Sequence, residues 1–380
     1  MTLAAAERLD DVALLETADP SSILRQVASS AAQVREAARS AAEAGLDGLA
    51  AGGRPRAIVI TGMGGSGIAG EVLAAVAGPG CPVQVTTVHD YRLPGWVGAA
   101  DLVIAVSCSG ATEETLSAAE EAVRRGCRLL GVGSQDSPLA RLAEQASAAF
   151  IGVKPSGMPR SMLWGLSVPL VVAASRLGVL DMPEEAYESA AAELERLAHL
   201  CRPDSEAFVN PAKTLALDLA GALPMIWGTS PLTGVAAARF ACQLHENAKY
   251  PAIAGVLPEA NHNQVVTFDG PFAPGPLAAD LGQAGPAPAA AGAPPVPLRL
   301  ILLRDTQEHP QVARRREESA RIAADRGIEV TELAASGDLP LERLASLVAL
   351  IDYTSVYLAI ANGIDPAPIA AIQELKARIA

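Results

Sequence analysis

A buried strand that breaks straight into a glycine turn constrains this chain more than any other feature. RAIVITG, residues 56–62, is apolar enough for a strand covered on both faces, and TGMGGSGIAGE, 61–71, puts five glycines within ten positions. VLAAVAG then continues as an apolar helix. Strand, glycine turn and helix in that order open a parallel α/β unit. The alternation repeats. PVQVTTV (82–88), DLVIAVS (101–107), RLLGVGS (128–134) and AAFIGV (148–153) read as strands, separated by helices at 113–126 and 138–146. Residues 160–200 read as two long helices. A second alternation follows, with strands expected at 224–230, 265–269, 298–305 and 329–335 and helices at 235–249, 311–327 and 342–363. Short apolar strands between amphipathic helices predict parallel sheets with helices on both faces. The expected fold is therefore α/β, with two doubly wound parallel-sheet domains over 1–180 and 181–380, plus extra helices in the Ala-, Glu- and Arg-rich first 50 residues. The Pro-, Ala- and Gly-rich stretch 270–297 reads as a surface insert in the second domain.

Bulk composition removes several functional classes. Half of the 380 residues are hydrophobic and 19% are charged, so the chain buries a large core. The net charge of −13 argues against nucleic acid or an anionic membrane surface as partner. Five cysteines at 81, 108, 127, 201 and 242 are scattered without a CxxC, which fits reduced thiols rather than a disulfide framework or a zinc ribbon. MTLAAAERLDD has neither a basic start nor an apolar run, so no signal peptide is expected. The apolar run 161–175 is short for a membrane span and contains Pro169, so a buried helix is expected. Together these point to a cytoplasmic protein. The five histidines (89, 199, 245, 262, 309) form no HxH or HxxxH pair, and no metal is expected.

The glycine turn poses a ligand question. Gly62, Gly64 and Gly67 satisfy GxGxxG, but the acid that should hold a ribose lies too far on, at Asp90. There is no GK[ST] for a nucleotide triphosphate. VSCSGATEET, 106–115, offers a different partner. It also sits at a strand end and opens a helix, and it supplies the hydroxyls of Ser107, Ser109 and Thr112 beside helix-terminal amides. Hydroxyls at a helix N-terminus form a neutral phosphate cradle. The plainer reading is that these residues only cap the helix. Two such turns on neighbouring strands favour phosphate.

Four further residues have the chemistry of a sugar isomerase. Such an enzyme grips a phosphate, opens a ring, carries a proton between two carbons and stabilises an enediolate. Arg160 in KPSGMPRSM, Glu246 in QLHENAKYPA, His262 in LPEANHNQVV and Lys376 in QELKARIA supply an acid–base pair and two cations. Taken singly, each also has an ordinary surface or capping role, and spacing alone does not bring them together.

GMGGSGIAGE followed by SCSGATEETL resembles the sugar isomerase (SIS) domain, of flavodoxin-like fold, which binds phosphosugars. With the PR before an apolar helix, ENAKYPA, PEANHN, YLAIANGIDP and ELKARI, nearly the whole chain resembles the bifunctional phosphoglucose/phosphomannose isomerase family. That resemblance implies that Gly65, Ser66, Ser107, Ser109 and Thr112 hold the phosphate. It implies that Glu246 moves the proton, that His262 assists ring opening from a partner subunit, that Arg160 stabilises the enediolate and that Lys376 lies near the sugar. It further implies a cofactor-independent homodimer interconverting glucose 6-phosphate and mannose 6-phosphate with fructose 6-phosphate through a cis-enediol. Three positions depart from the family pattern: Ala111 where Asn is frequent, Cys108 where an aromatic is frequent, and Ala367 where a Thr linked to both C2 epimers is frequent. Two alternatives are a non-catalytic sugar-phosphate regulator, for which Glu246 has no use, and the isomerase half of an amidotransferase, which needs an N-terminal cysteine where this chain has its first at Cys81.

Overall fold

The computed structural model describes residues 3–274 and 296–379. Most of the expected insert, 275–295, lies outside the described residues. The chain divides into two compact units, 28–195 with 338–342, and 1–27 with 196–337 and 343–380.

The first unit is built on five parallel strands: β1 (Ala57–Thr61), β2 (Gln84–Val88), β3 (Leu102–Ser107), β4 (Arg128–Gly133) and β5 (Ala149–Gly152), in the order β2-β1-β3-β4-β5. The apolar runs AIVIT and LVIAVS are buried at every position and take the interior of the sheet, while QVTTV, partly exposed, takes an edge. Adjacent residues point to opposite faces. Val59, Val103 and Ala105 meet Ala118, Ala119, Ala122 and Leu139 from helices Glu113–Arg124 and Pro138–Gln145. On the other face, Ile60 lies so close to Gly70 of helix Ile68–Ala77 that a Cβ there would sit 2.8 Å from it. Helix Leu163–Arg176 packs on Ile68–Ala77 and is buried from Leu163 to Ala174, Pro169 included, as the apolar run 161–175 predicts. The chain leaves β1 towards β2 on one side and returns as β3 on the other. That reversal opens a crevice at the carboxyl ends of β1 and β3, where open α/β sheets bind ligands.

The second unit carries four parallel strands among its described residues: β6 (Leu223–Gly228), β7 (Ile253–Val256), β8 (Leu298–Arg304) and β9 (Glu329–Ala334), in the order β7-β6-β8-β9. Helix Pro340–Ala361 is long and apolar enough to span a membrane, yet 94% of its apolar window is buried within the fold.

One expected strand is absent. VVTFD at 265–269 belongs to a 3₁₀ helix, Gln264–Asp269, and the edge position is taken by β7. The β-branched residues suggested a strand, but the apolar contacts follow a helical spacing of three. Val265 and Phe268 face the core, Phe268 stacks on Trp227 at 5.5 Å between centroids, and Val266 is 66% exposed. Trp227 Nε1 donates to Gln264 Oε1 at 2.6 Å, and Thr267 Oγ1 donates back to the Gln264 carbonyl at 2.7 Å. β7 itself, IAGV, is too short and glycine-containing to read as a strand.

These contacts separate the two readings by mutation. A strand would put Val266 and Phe268 on one face, whereas the 3₁₀ turn pairs Val265 with Phe268. Val265→Asp and Phe268→Ala should both lower stability, the latter by about 3 to 5 kcal/mol as for a buried Phe. Val266→Asp should change the urea midpoint little.

Candidate active site

The two turns expected to cradle phosphate meet where β1 and β3 end side by side. Gly62 follows β1, and a Cβ on it would stand 2.9 Å from the Val106 carbonyl oxygen. Only a hydrogen fits between these strand ends. The turn Met63–Gly67 then closes on backbone bonds from Ser66 N–H to Met63 and from Gly67 N–H to Gly64, both 3.0 Å. This brings the buried Ser66 hydroxyl to the neighbouring loop, where Ser66 Oγ accepts the Cys108 N–H at 3.1 Å. That bond ties the glycine turn to the SCSGAT turn.

In the second turn, Ser107 Oγ lies 2.8 Å from Thr112 Oγ1 and also accepts the Thr112 N–H at 3.4 Å. Ser109, exposed at the tip, accepts the Ala111 N–H at 3.2 Å. Ser66 and Ser109 thus use acceptor capacity on amides and retain their hydroxyl protons for a bound anion. Of the Ser107–Thr112 pair, one proton is shared and one remains. Helix Glu113–Arg124 starts immediately after Thr112, so its first amides face the same place. Cys108 is buried, and burial pushes its thiol above the usual range, so it adds no thiolate charge to repel phosphate.

Gly65 links this cradle to Arg160. A Cβ at Gly65 would lie 3.0 Å from the Pro159 carbonyl oxygen and 3.4 Å from Arg160 Cα. Arg160 is only 4% exposed and sits in the single 3₁₀ turn Pro159–Ser161. Gln33 holds that turn. Its Nε2 donates to the Ser161 carbonyl at 2.8 Å and its Oε1 accepts the Gly165 N–H at 3.4 Å. The structure therefore brings Gly65, Ser66, Ser107, Ser109, Thr112 and Arg160 into the first unit around one crevice. Gln33 and His89 were not legible from the sequence. His89 Nδ1 lies 2.9 Å from the Gly62 carbonyl oxygen at the base of the glycine turn.

Glu246 belongs to the second unit. Helix Pro231–Gln243 starts from a Ser230–Thr233 capping box and runs into a π turn, Leu244–Ala248. Gln243 and Asn247, four residues apart, both face helix Pro340–Ala361, and Glu246 is half-buried. The anchor is a buried ion pair. Arg239 meets Asp352 through Nε at 2.9 Å and Nη2 at 2.6 Å, and Gln243 Nε2 adds a bond to Asp352 Oδ1 at 3.1 Å. Asn247 Nδ2 donates to Ser355 Oγ at 2.9 Å. His262 is exposed at the end of the 3₁₀ turn Glu259–His262, and Lys376 is exposed on helix Ala370–Ile379. Glu246, His262 and Lys376 thus occupy three separate elements of that unit.

Comparison with known proteins agrees with this layout. Residues 54–159 match the SIS domain family, and residues 208–379 match the bacterial phospho-glucose isomerase C-terminal SIS domain family. The chain is 33% identical to a bifunctional phosphoglucose/phosphomannose isomerase of Caldicellulosiruptor bescii, over 85% of this chain and 89% of that protein. It is 31% identical to one of Aquifex aeolicus over 84% and 89%. A D-glucosamine-6-phosphate 4-epimerase of Sulfolobus acidocaldarius is 28% identical over 56% of this chain and 63% of that one. Among solved structures, a hypothetical protein of Thermus thermophilus superposes with a TM-score of 0.68 at 16% identity, covering 99% and 93% of the two chains. The C-terminal domain of glucosamine-fructose-6-phosphate aminotransferase of Francisella tularensis gives 0.60 at 15% identity over 91% and 98%, a likeness of fold alone.

Gly110 tests the cradle. Its φ is +63°, and a Cβ there would stand 2.1 Å from Ser137 Oγ. Gly110→Ala must shift the SCSGAT turn while leaving β3 in place, so inorganic phosphate should bind at least about tenfold more weakly. Phosphate protection against thermal unfolding measures it.

Proposed function

The chain belongs to the bifunctional phosphoglucose/phosphomannose isomerase family, and from that premise we propose that it interconverts glucose 6-phosphate and mannose 6-phosphate with fructose 6-phosphate. The cradle after β1 and β3 takes the phosphate. Ring opening needs a proton moved at the ring oxygen, which we assign to His262. In the open aldose, the Glu246 carboxylate takes the proton from C2 as electrons shift onto the C1 oxygen, giving an enediolate that Arg160 stabilises. As the proton returns to C1, the O2 proton passes to O1 and C2 becomes the carbonyl, giving the ketose. Because C2 is planar in the cis-enediol, both C2 epimers reach one intermediate. Lys376 is assigned beside the sugar.

The observation that carries this reading is the combination, in one chain of that family, of the Ser66-bridged cradle with Glu246 on a π turn anchored by a buried ion pair. The two domain matches fall on either side of residue 180, in support of a division of labour between 1–180, which grips phosphate, and 181–380, which moves the proton. We also propose that the enzyme works without metal or organic cofactor, that it acts in the cytoplasm, where its five scattered cysteines stay reduced, and that it is a homodimer in which His262 serves the partner's site. The exposure of His262 supports the last point.

Two measurements follow. With fructose 6-phosphate in a coupled assay, wild-type turnover should be insensitive to EDTA, and Glu246→Gln should lose at least about a hundredfold in kcat, the scale of a general base. Full activity in that variant overturns the assignment. Co-refolding Glu246→Gln with His262→Ala should recover about a quarter of wild-type activity, because half the random dimers carry one intact site if the histidine acts across the interface. No recovery places His262 in its own subunit's site.

A further inference from the structure

Lys249 is one of three non-glycine residues among those described with a left-handed backbone, at φ +54°. It ends the π turn that carries Glu246. A lysine accepts this conformation at some cost, so something local must favour it. Part of the reason is the C-cap itself, where the Lys249 and Tyr250 N–H groups both donate to the Leu244 carbonyl, and the ammonium adds to it. Lys249 Nζ lies 2.9 Å from the Glu246 carbonyl oxygen and 3.2 Å from that of Asn247. It also lies 3.2 Å from the Asp365 carbonyl oxygen and 3.1 Å from that of Pro366. Four main-chain oxygens therefore surround one cation. Two belong to the negative end of the Glu246 helix, where a cation is favoured. Two belong to a turn 116 and 117 residues further on.

That second turn is tightly made. Asp365 Oδ1 accepts the Ala367 N–H at 2.9 Å, and Ala367 is buried. Helix Ala370–Ile379, which carries Lys376, starts a few residues later. A single ammonium thus joins the Glu246 turn, the Ala367 turn and the approach to the Lys376 helix. The Arg239–Asp352 pair anchors the same π turn from the helix side, through Gln243. Lys249 closes its far end, two residues beyond Asn247, which Ser355 holds.

We infer that Lys249 is a positioning residue for the isomerisation: its ammonium locks the main chain at Glu246 to the 365–366 turn and so fixes the carboxylate against the sugar carbons. The inference rests on Glu246 being the base. Misplacing a catalytic group by about 1 Å costs up to a hundredfold in rate. The phosphate cradle belongs to the other unit, so substrate binding should be spared.

The test compares Lys249→Met, Lys249→Gly and Glu246→Gln in the full-length protein. Lys249→Met keeps the stem and removes the charge. Lys249→Gly removes the ammonium and relieves the left-handed strain, which favours folding. Both should lower kcat by about tenfold or more with KM for fructose 6-phosphate within about twofold. Methylammonium should restore Lys249→Gly saturably by occupying the four-carbonyl site, and should do nothing for Glu246→Gln. Wild-type kcat in both lysine variants, a loss that matches the unfolded fraction at the assay temperature, or no response to methylammonium overturns the inference. If Glu246→Gln is inactive while both lysine variants are fully active, the latch alone fails. If Glu246→Gln is fully active, the base assignment fails and the latch with it.

Discussion

The hydrogen bond from the Cys108 amide to Ser66 Oγ exists because β1 and β3 lie side by side in a parallel sheet. Parallel neighbours release their chains at the same edge. The turn after each strand therefore opens at one crevice, and the reversal of strand order there keeps helices from covering it. Everything in the cradle follows from that adjacency. Glycine at 62 permits the close approach to Val106, Ser66 spans the gap, and Ser107 and Thr112 pair across the second turn. Hydroxyls and helix-terminal amides there, with Arg160 beside them, suit an anion even in a chain of net charge −13.

The second unit solves a different problem. For Glu246 to serve as the proposed base, its carboxylate must be fixed and yet reachable. Gln243 and Asn247 reach helix Pro340–Ala361, where Asp352 and Ser355 receive them, and Glu246 between them in sequence is half-buried. The Arg239–Asp352 pair is 5% exposed on each side chain. Removing one partner of such a pair strands a buried charge, so the anchor tolerates little change.

The sequence showed most of the first unit because its signals are local. Strand, glycine turn and helix lie within about 20 residues, and the hydroxyls of the second turn fall within six positions, 107–112. What stayed hidden depends on contacts distant in sequence. Gln33 supports Ser161 from 128 residues away, and Asp352 binds Arg239 across 113. The false strand at 265–269 had the right residue types for β-structure, and only packing of Val265 and Phe268 beneath Trp227 set the helical spacing. The helix expected over 235–249 was right in existence and wrong in its last turn, because nothing in LHENA announces a π turn. Arg160, Glu246, His262 and Lys376 entered through family resemblance, since each alone reads as an ordinary surface or capping residue.

In the proposed reaction a side chain transfers the proton through an enediol. Turnover of glucose 6-phosphate in D₂O tests it most directly, with the C1 position of fructose 6-phosphate followed by NMR. A carboxylate that holds the proton between C2 and C1 exchanges some of it with solvent, so deuterium should accumulate at C1 over repeated turnovers. Equilibration with fructose 6-phosphate over many turnovers without deuterium at C1 would contradict proton transfer and point to direct hydride migration.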